Sequence, residues 1–389
     1  MKGSLVMKIV IAPDSFKESM TALEASSAIE EGFIKSFPHA DYVKIPMADG
    51  GEGTVQSISD ATGGNLKEVS VTGPLDEEVS AFYGLSGDKK LAVIEMAASS
   101  GLDKLEKDKR NPLKTATYGL GELIKDALDE GVEEVLLGIG GSATNDAGAG
   151  MIVALGGKLL NKKGERIQPT GEGLSDLHKI DMSQLHPRIK EVRFKVACDV
   201  DNPLTGLNGA SHIYGPQKGA TSDMVEQLDE NLKHFASIVR DQLGKEIEKL
   251  PGAGAAGGLG GGLVAFLDAR LQRGGDLIVE LLELEDTIKD ADLVLTGEGG
   301  INHQTRYGKT PIAVSRVAKK HNVPTIAFTG SLEEGYESVY EEGINAVFVI
   351  NPKLTHLEEA LSNGHTNLKN TAQNVAAVIR LGKALNSKG

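Results

Sequence analysis

A two-domain α/β protein, with one domain inserted into the other, follows from three features of this chain. Short apolar strand candidates alternate with helix-patterned runs at both ends, the arrangement of a doubly wound parallel sheet with helices on both faces. The middle reads differently, with a turn-linked pair that looks antiparallel, followed by buried strands of its own. Finally, 389 residues exceed what one ordinary core holds. Residues 1–65 and 285–389 are expected to form the doubly wound domain, and residues 66–284 the inserted mixed α/β domain. The cleft between them is the expected site.

At the N-terminus, MKIVIAPD (7–14) is a strand candidate followed by a polar loop. A helical run then places Leu23, Ala28, Ile29 and Phe33 on one side. DYVKIPMA (41–48) is a second strand, and DGGEGT leads into another helix-like run. VTGPLDEEVSAFYGLSG (71–87) carries a Gly-Pro turn and partial alternation, as antiparallel strands do. Leu120, Leu123, Ile124, Ala127 and Leu128 share one face of a strong helix. EEVLLGIGG (133–141) and RFKVACDV (193–200) read as buried strands, the second holding Cys198. GAGAAGGLGGGL (252–263) is almost wholly glycine and alanine. ADLVLTGE, VPTIAFTG and NAVFVI return to the strand pattern. Between the first two lies PIAVSRVAKKHN, with Thr310 set to cap and Pro311 at the first helical position.

Composition narrows the function. Hydrophobic residues at 40% and charged residues at 25% describe a soluble globular protein. With 48 glycines, no Trp and 4% aromatics, ligand contact is expected from backbone loops rather than aromatic platforms. A net charge of −14 argues against nucleic-acid and anionic-membrane partners, though a few lysines can make one loop locally positive. The single cysteine excludes an internal disulfide and any Cys-based zinc site, and points to the cell interior. MKGSLV is too short for a signal-peptide core, and no apolar run is long enough to span a bilayer. A cytoplasmic protein is expected, and a homo-oligomer is compatible with it.

The segment TGEGGINHQTRYGKTP (296–311) ends like a phosphate-binding P-loop, but His303 stands where that motif needs its first glycine. GAGAAG (252–257) matches the dinucleotide fingerprint, yet a charged, proline-ended segment precedes it where a buried strand is required. GIGGSA (138–143) does follow a strand, but no ribose-binding acid ends a following strand at the needed distance.

Four loops share one design, with a strand, then small residues with carboxylates or amides, then a helix start. They are PDSFKES (13–19), ADGGEGT (48–54), GGSATNDAG (140–148) and the 296–311 segment. Helix N-termini offer unpaired N–H groups and a positive dipole, so such loops attract anions. Asp14, Ser15, Lys17, Gly50, Gly51, Gly140, Gly141, Ser142, Thr144, Asn145, Asn302 and Gln304 are therefore candidate ligand contacts. Gly254 and Gly257 join them as backbone donors, and Lys218 and Lys309 as clamps for phosphate or carboxylate. Asp49, Glu52 and Glu298 suit Mg²⁺, which takes one or two carboxylates alongside phosphate oxygens and water. Asp199 and Asp201 end a strand, where an acid can orient or deprotonate a hydroxyl. This inventory is what phosphoryl transfer needs, namely positioning, cations and donors around a moving phosphate.

APDSFKES, PMADGGEGT, VTGPL, IEMAASSG (94–101), RNPLKT (110–115), GIGGSATND, VACDVDNPLTG (196–206), GPQKGAT (215–221), PGAGAAGGLG and TGEG…GKTP together resemble the bacterial glycerate kinases of the 2-kinase type, from Met7 nearly to the C-terminus. The resemblance implies ATP-dependent phosphorylation of D-glycerate to 2-phosphoglycerate, and a two-domain fold with one Rossmann-like domain. It also implies that Gly300 and Asn302 depart from a loop that carries Arg and Asp in those places. Losing them would remove a rigid charged fork and a base or metal ligand. Two other readings stay open at this point: a hydroxy-acid-binding protein without catalysis, and an NAD-dependent oxidoreductase.

Overall fold

The computed structural model describes residues 6–48, 50–51, 53–303 and 305–386. The chain forms two compact units, Met1–Asp49 with Gln56–Thr62 and Gly274–Gly389, and Gly50–Val55 with Gly63–Arg273. The division falls at 273/274, where the sequence reading set 284/285. The helix Gly274–Leu281 packs against the helix Thr310–Lys320, with Gly275 so close to the Gly308 carbonyl that a Cβ there would stand 2.5 Å from it.

The first unit is built on a wholly parallel five-stranded sheet in the order Ala346–Val349, Thr325–Leu332, Leu293–Ile301, Lys8–Ile11, Asp41–Lys44. Its central strands are buried runs, Ile9-Val10-Ile11 and Leu293-Val294-Leu295, as a strand covered on both faces must be. Neighbouring strand residues point to opposite faces. Phe328 packs with Phe33 and Ala372, from the helices Ala22–Phe33 and Gly364–Asn386. Its neighbour Ala327 packs with Ile312 of the helix Thr310–Lys320. Helices therefore cover both faces, as expected. The helix Ala22–Phe33 is started by a capping box, in which Thr21 and Glu24 satisfy each other's backbone N–H groups.

The second unit holds a six-stranded mixed sheet in the order Arg270–Gln272, Arg193–Ala197, Glu134–Gly138, Leu91–Glu95, Glu78–Leu85, Asn65–Thr72. The first four strands run parallel and the last two pair antiparallel. The turn between that pair contains Asp76 at φ 72°. The helix Tyr118–Asp129 buries the five apolar residues that its spacing singled out.

Two local expectations are corrected, and a third segment left unassigned takes shape. Lys309, not Thr310, is the N-cap of the helix Thr310–Lys320, so Thr310 and Pro311 occupy its first two positions. The Thr310 hydroxyl is engaged elsewhere. Cys198 lies one residue beyond the strand Arg193–Ala197 and is half-buried, with burial pushing its thiol pKa up. The glycine-rich segment is a buried helix, Ala255–Leu267, interrupted by left-handed backbone at Ala256, Gly257 and Gly258. Among the described residues, no helix is long and apolar enough to cross a membrane.

Candidate functional site

In the first unit the chain leaves Lys8–Ile11 toward one edge of the sheet, and builds the opposite edge from Leu293–Ile301 outward. The carboxyl ends of these two adjacent parallel strands therefore flank a topological switch point, where open α/β sheets place their ligands. Asp14 and Glu298 stand there. The Asp14 N–H donates to the Gly297 carbonyl at 2.8 Å, which ties the loop to the neighbouring strand. Asp14 Oδ1 accepts from the Ser15 N–H at 2.7 Å, and Oδ2 accepts from the Thr310 hydroxyl at 2.6 Å. Glu298 is 7% exposed; its Oε1 takes the Thr305 hydroxyl at 2.8 Å and its Oε2 the Lys309 ammonium at 3.1 Å. The two acids thus anchor the 305–310 segment and the start of its helix.

Asn302 is oriented by Glu333, its Nδ2 donating to Oε2 at 3.1 Å. A Cβ at Gly300 would lie 3.0 Å from Ser331 Oγ, so a longer side chain there requires Ser331 to give way. Lys17 is exposed on the same loop as Asp14, and its backbone N lies 3.3 Å from where a Gly299 Cβ would be.

In the second unit, three parallel strands, Leu91–Glu95, Glu134–Gly138 and Arg193–Ala197, end side by side. The loop after the middle strand carries Gly140 and Gly141, both exposed, then Ser142, Thr144, Asn145 and Asp146, all buried. Gly50 approaches from beside it, its carbonyl 2.8 Å from where a Gly138 Cβ would stand. The glycine-rich helix packs on the other side, backbone against backbone. A Cβ at Gly257 would sit 2.0 Å from the Thr144 carbonyl, and one at Gly262 equally close to that of Ala147. Gly254 is pressed against the Pro203 carbonyl and donates to that of Asn202. Only glycine permits this approach.

The ionisable groups beneath the loop are fully enclosed. Lys218 is 1% exposed and donates to Ser142 Oγ and the Thr144 carbonyl, each at 2.7 Å. Burial pulls its pKa down to about 7, opposed by the nearby Asp146 charge. Asp146 is 0% exposed, and burial raises its pKa. Four donors work against that rise: the Thr117 N–H at 2.9 Å, the Thr117 hydroxyl at 2.8 Å, the Gly150 N–H at 3.0 Å and the Gly148 N–H at 3.3 Å. Thr144 Oγ1 and Asn145 Oδ1 are buried without a hydrogen-bond partner, although Asn145 Nδ2 reaches Ser211 at 3.2 Å.

Asp199 and Asp201 lie past the end of Arg193–Ala197 and are exposed, with Asp201 facing Arg273 at 3.8 Å. The structure therefore brings Asp14, Glu298, Lys309 and Asn302 together in the first unit. In the second it brings Gly140–Asn145, Lys218, Gly254 and Gly257 together. Asp49, Glu52 and Gln304 lie outside the described residues. Thr117 and Thr305 are side chains that hold the loops and that sequence reasoning passed over, while Thr310, expected as a cap, binds Asp14 instead. A threonine binding a distant acid leaves no spacing signal.

The molecule is thus a two-unit α/β protein whose glycine-rich loops crowd the carboxyl ends of its parallel strands. Residues 9–380 match the model of the glycerate kinase family. The chain is 58% identical over 370 residues to a glycerate kinase of Halalkalibacterium halodurans, covering 95% of this chain and 97% of that one. It is 50% identical over 376 residues to the glycerate 2-kinase of Escherichia coli, covering 97% and 99%. A crystal structure described as glycerate kinase 2 from Salmonella typhimurium LT2 superposes with a TM-score of 0.92 at 50% identity, over 98% of this chain and 100% of the other. The chain belongs to the glycerate kinase family.

Proposed function

We propose that this enzyme transfers the γ-phosphoryl group of ATP to the 2-hydroxyl of D-glycerate, giving 2-phospho-D-glycerate and ADP. The observation that carries this reading is the end-to-end similarity to kinases of that name, which leaves none of the glycine loops outside the matched region. The site chemistry suits it. Buried polar atoms are normally paired, so Thr144 Oγ1 and Asn145 Oδ1 invite a ligand that both accepts and donates. A hydroxy acid and a nucleotide ribose both do.

In the reaction the glycerate hydroxyl oxygen bonds to the γ-phosphorus while the bond from that phosphorus to the β–γ bridging oxygen breaks. The hydroxyl proton passes to a carboxylate, for which Asp199 is our assignment, with Asp201 second. The exposed residues Gly140 and Gly141, in the same unit as Asp199, would offer backbone N–H groups to the transferring group, and Lys17 and Lys309 are the phosphate clamps of the first unit. The described residues contain no ready-made cluster of three or more metal-binding side chains, and Glu298 already holds Thr305 and Lys309. Mg²⁺ needs no such cluster, since nucleotide phosphates and water supply most of its ligands; Glu298 and Asp14 are the described carboxylates that could complete its shell. The need for ATP and a lone half-buried thiol support a cytoplasmic location.

Incubation with ATP, Mg²⁺ and D-glycerate should release ADP and give a 2-phosphoglycerate signal by phosphorus NMR. A 3-phosphoglycerate signal would overturn the position assigned, and ADP-free binding of glycerate would overturn the kinase reading. Asp199→Asn should lower kcat by ~10²–10⁴ with ATP binding nearly intact; unchanged turnover would remove Asp199 from its role.

A further inference from the structure

Lys218 is buried to 1% and Asp146 completely, and the two meet the Gly140–Gly148 loop at different points. Asp146 holds its C-terminal end. Its carboxylate gathers the Gly148 and Gly150 N–H groups and both donors of Thr117, and the Thr117 hydroxyl in turn accepts from the Met151 N–H at 3.0 Å. Thr117 is the N-cap residue of the helix Tyr118–Asp129, so one carboxylate joins the loop to two helix starts. Lys218 holds the middle, reaching Ser142 Oγ and the Thr144 carbonyl.

Stability alone does not explain such a pair. Well-packed apolar side chains of similar volume are commonly as stable as buried ions or more so. Charge supplies direction instead. Because Ser142 Oγ accepts from Lys218, the serine's own hydrogen is left to donate elsewhere, and no hydrogen bond from it is seen among the described residues. Ser142, Thr144 Oγ1 and Asn145 Oδ1 then stand almost in sequence, each with unused hydrogen-bonding capacity.

We propose that Lys218 and Asp146 are a buried pair of positioning residues that hold the Gly140–Asn145 loop in its ligand-binding shape without touching the ligand themselves. This rests on the kinase reading for its functional readout. It also makes the loop sensitive to pH. The Lys218 pKa lies near 7, and the Asp146 charge is what resists a further fall. The charged groups nearest in the chain and packing are partly engaged, with Arg110 Nε and His212 Nδ1 left without a hydrogen bond. Arg110, against Gly219, donates to the Leu102 carbonyl, and His212 faces Glu226 and Asp229.

The test is kcat/KM from pH 6 to 9, with calorimetric affinities for D-glycerate and for ATP, in wild type, Lys218→Met and the near-isosteric Asp146→Asn. Taking variant over wild type cancels the titration of ATP itself. Lys218→Met is expected to lose roughly 10²-fold in kcat/KM, as misplaced binding groups do, and to lack a step near pH 7 that wild type shows. Asp146→Asn should move that step to lower pH, a shift that no purely structural defect produces. Wild-type kinetics and affinities in Lys218→Met would overturn the proposal. If Lys218→Met does not fold, a step that stays in place in Asp146→Asn overturns it equally. A wild type that binds glycerate but releases no ADP overturns the kinase reading instead. The loop claim is then judged on binding alone, standing if Lys218→Met weakens either ligand tenfold or more and falling if both affinities are unchanged.

Discussion

Lys218 titrates inside the protein, and that makes its effect on stability calculable in sign. Its pKa is about 7 when folded, against 10.5 for an unburied lysine. Between those values the unfolded chain binds a proton that the folded chain does not, so this group adds stability as pH rises from about 7 and completes its contribution above 10.5. Below 7 that contribution is absent. The slope has an upper limit of ~1.4 kcal/mol per pH unit. Urea midpoints at pH 7, 8 and 9 should therefore climb more steeply in wild type than in Lys218→Met, and parallel curves would show that Lys218 does not titrate there. Thr310 offers a second single-residue test. Its buried hydroxyl donates to the Asp14 carboxylate at 2.6 Å. Thr310→Val keeps the shape and removes the donor, for an expected loss of about 1.5–3 kcal/mol, typical of bonds to charged groups. Denaturant unfolding would read it.

Among the elements, the helix Ala255–Leu267 depends most on what it lacks. Its glycines have no side chains because the 144–148 loop occupies that space. Gly257 combines φ 69° with a Cβ position 2.0 Å from the Thr144 carbonyl. Gly257→Ala should therefore destabilise by roughly 2–5 kcal/mol, adding left-handed backbone strain to overpacking. It should also weaken ligand binding by displacing Thr144. A variant as stable as wild type would mean that this helix can retreat from the loop. The same glycines spell a dinucleotide fingerprint, GAGAAG, which their context already set aside. Here they serve close packing, because no strand feeds the turn and the helix lies buried. By contrast, the helix Tyr118–Asp129 was readable from the spacing of five apolar residues. The capping box of Thr21 and Glu24 is a four-residue pattern equally open to reading.

For the whole molecule, two units with separate cores imply unfolding that is not a single two-state event. Calorimetry should give an enthalpy larger than the van't Hoff value. Ligands should then raise the transition of the unit that binds them, so adding ATP or D-glycerate separately would assign each to its loops. Equal calorimetric and van't Hoff enthalpies would show one cooperative unit. Much of the architecture was legible because it is local or periodic. Apolar runs between helices define a parallel sheet, and glycine with small polar residues at strand ends marks the loops. Family membership came from the same letters, since long motifs are contiguous in sequence. Partnerships were not legible. That Asp14 holds Thr310, 296 residues away, or that Lys218 turns inward to Ser142 and Thr144, depends on which strands lie side by side. Periodicity states which face of an element is buried, but not what it meets. An ammonium becomes a clamp at the surface or a brace in the interior only through the burial that folding imposes.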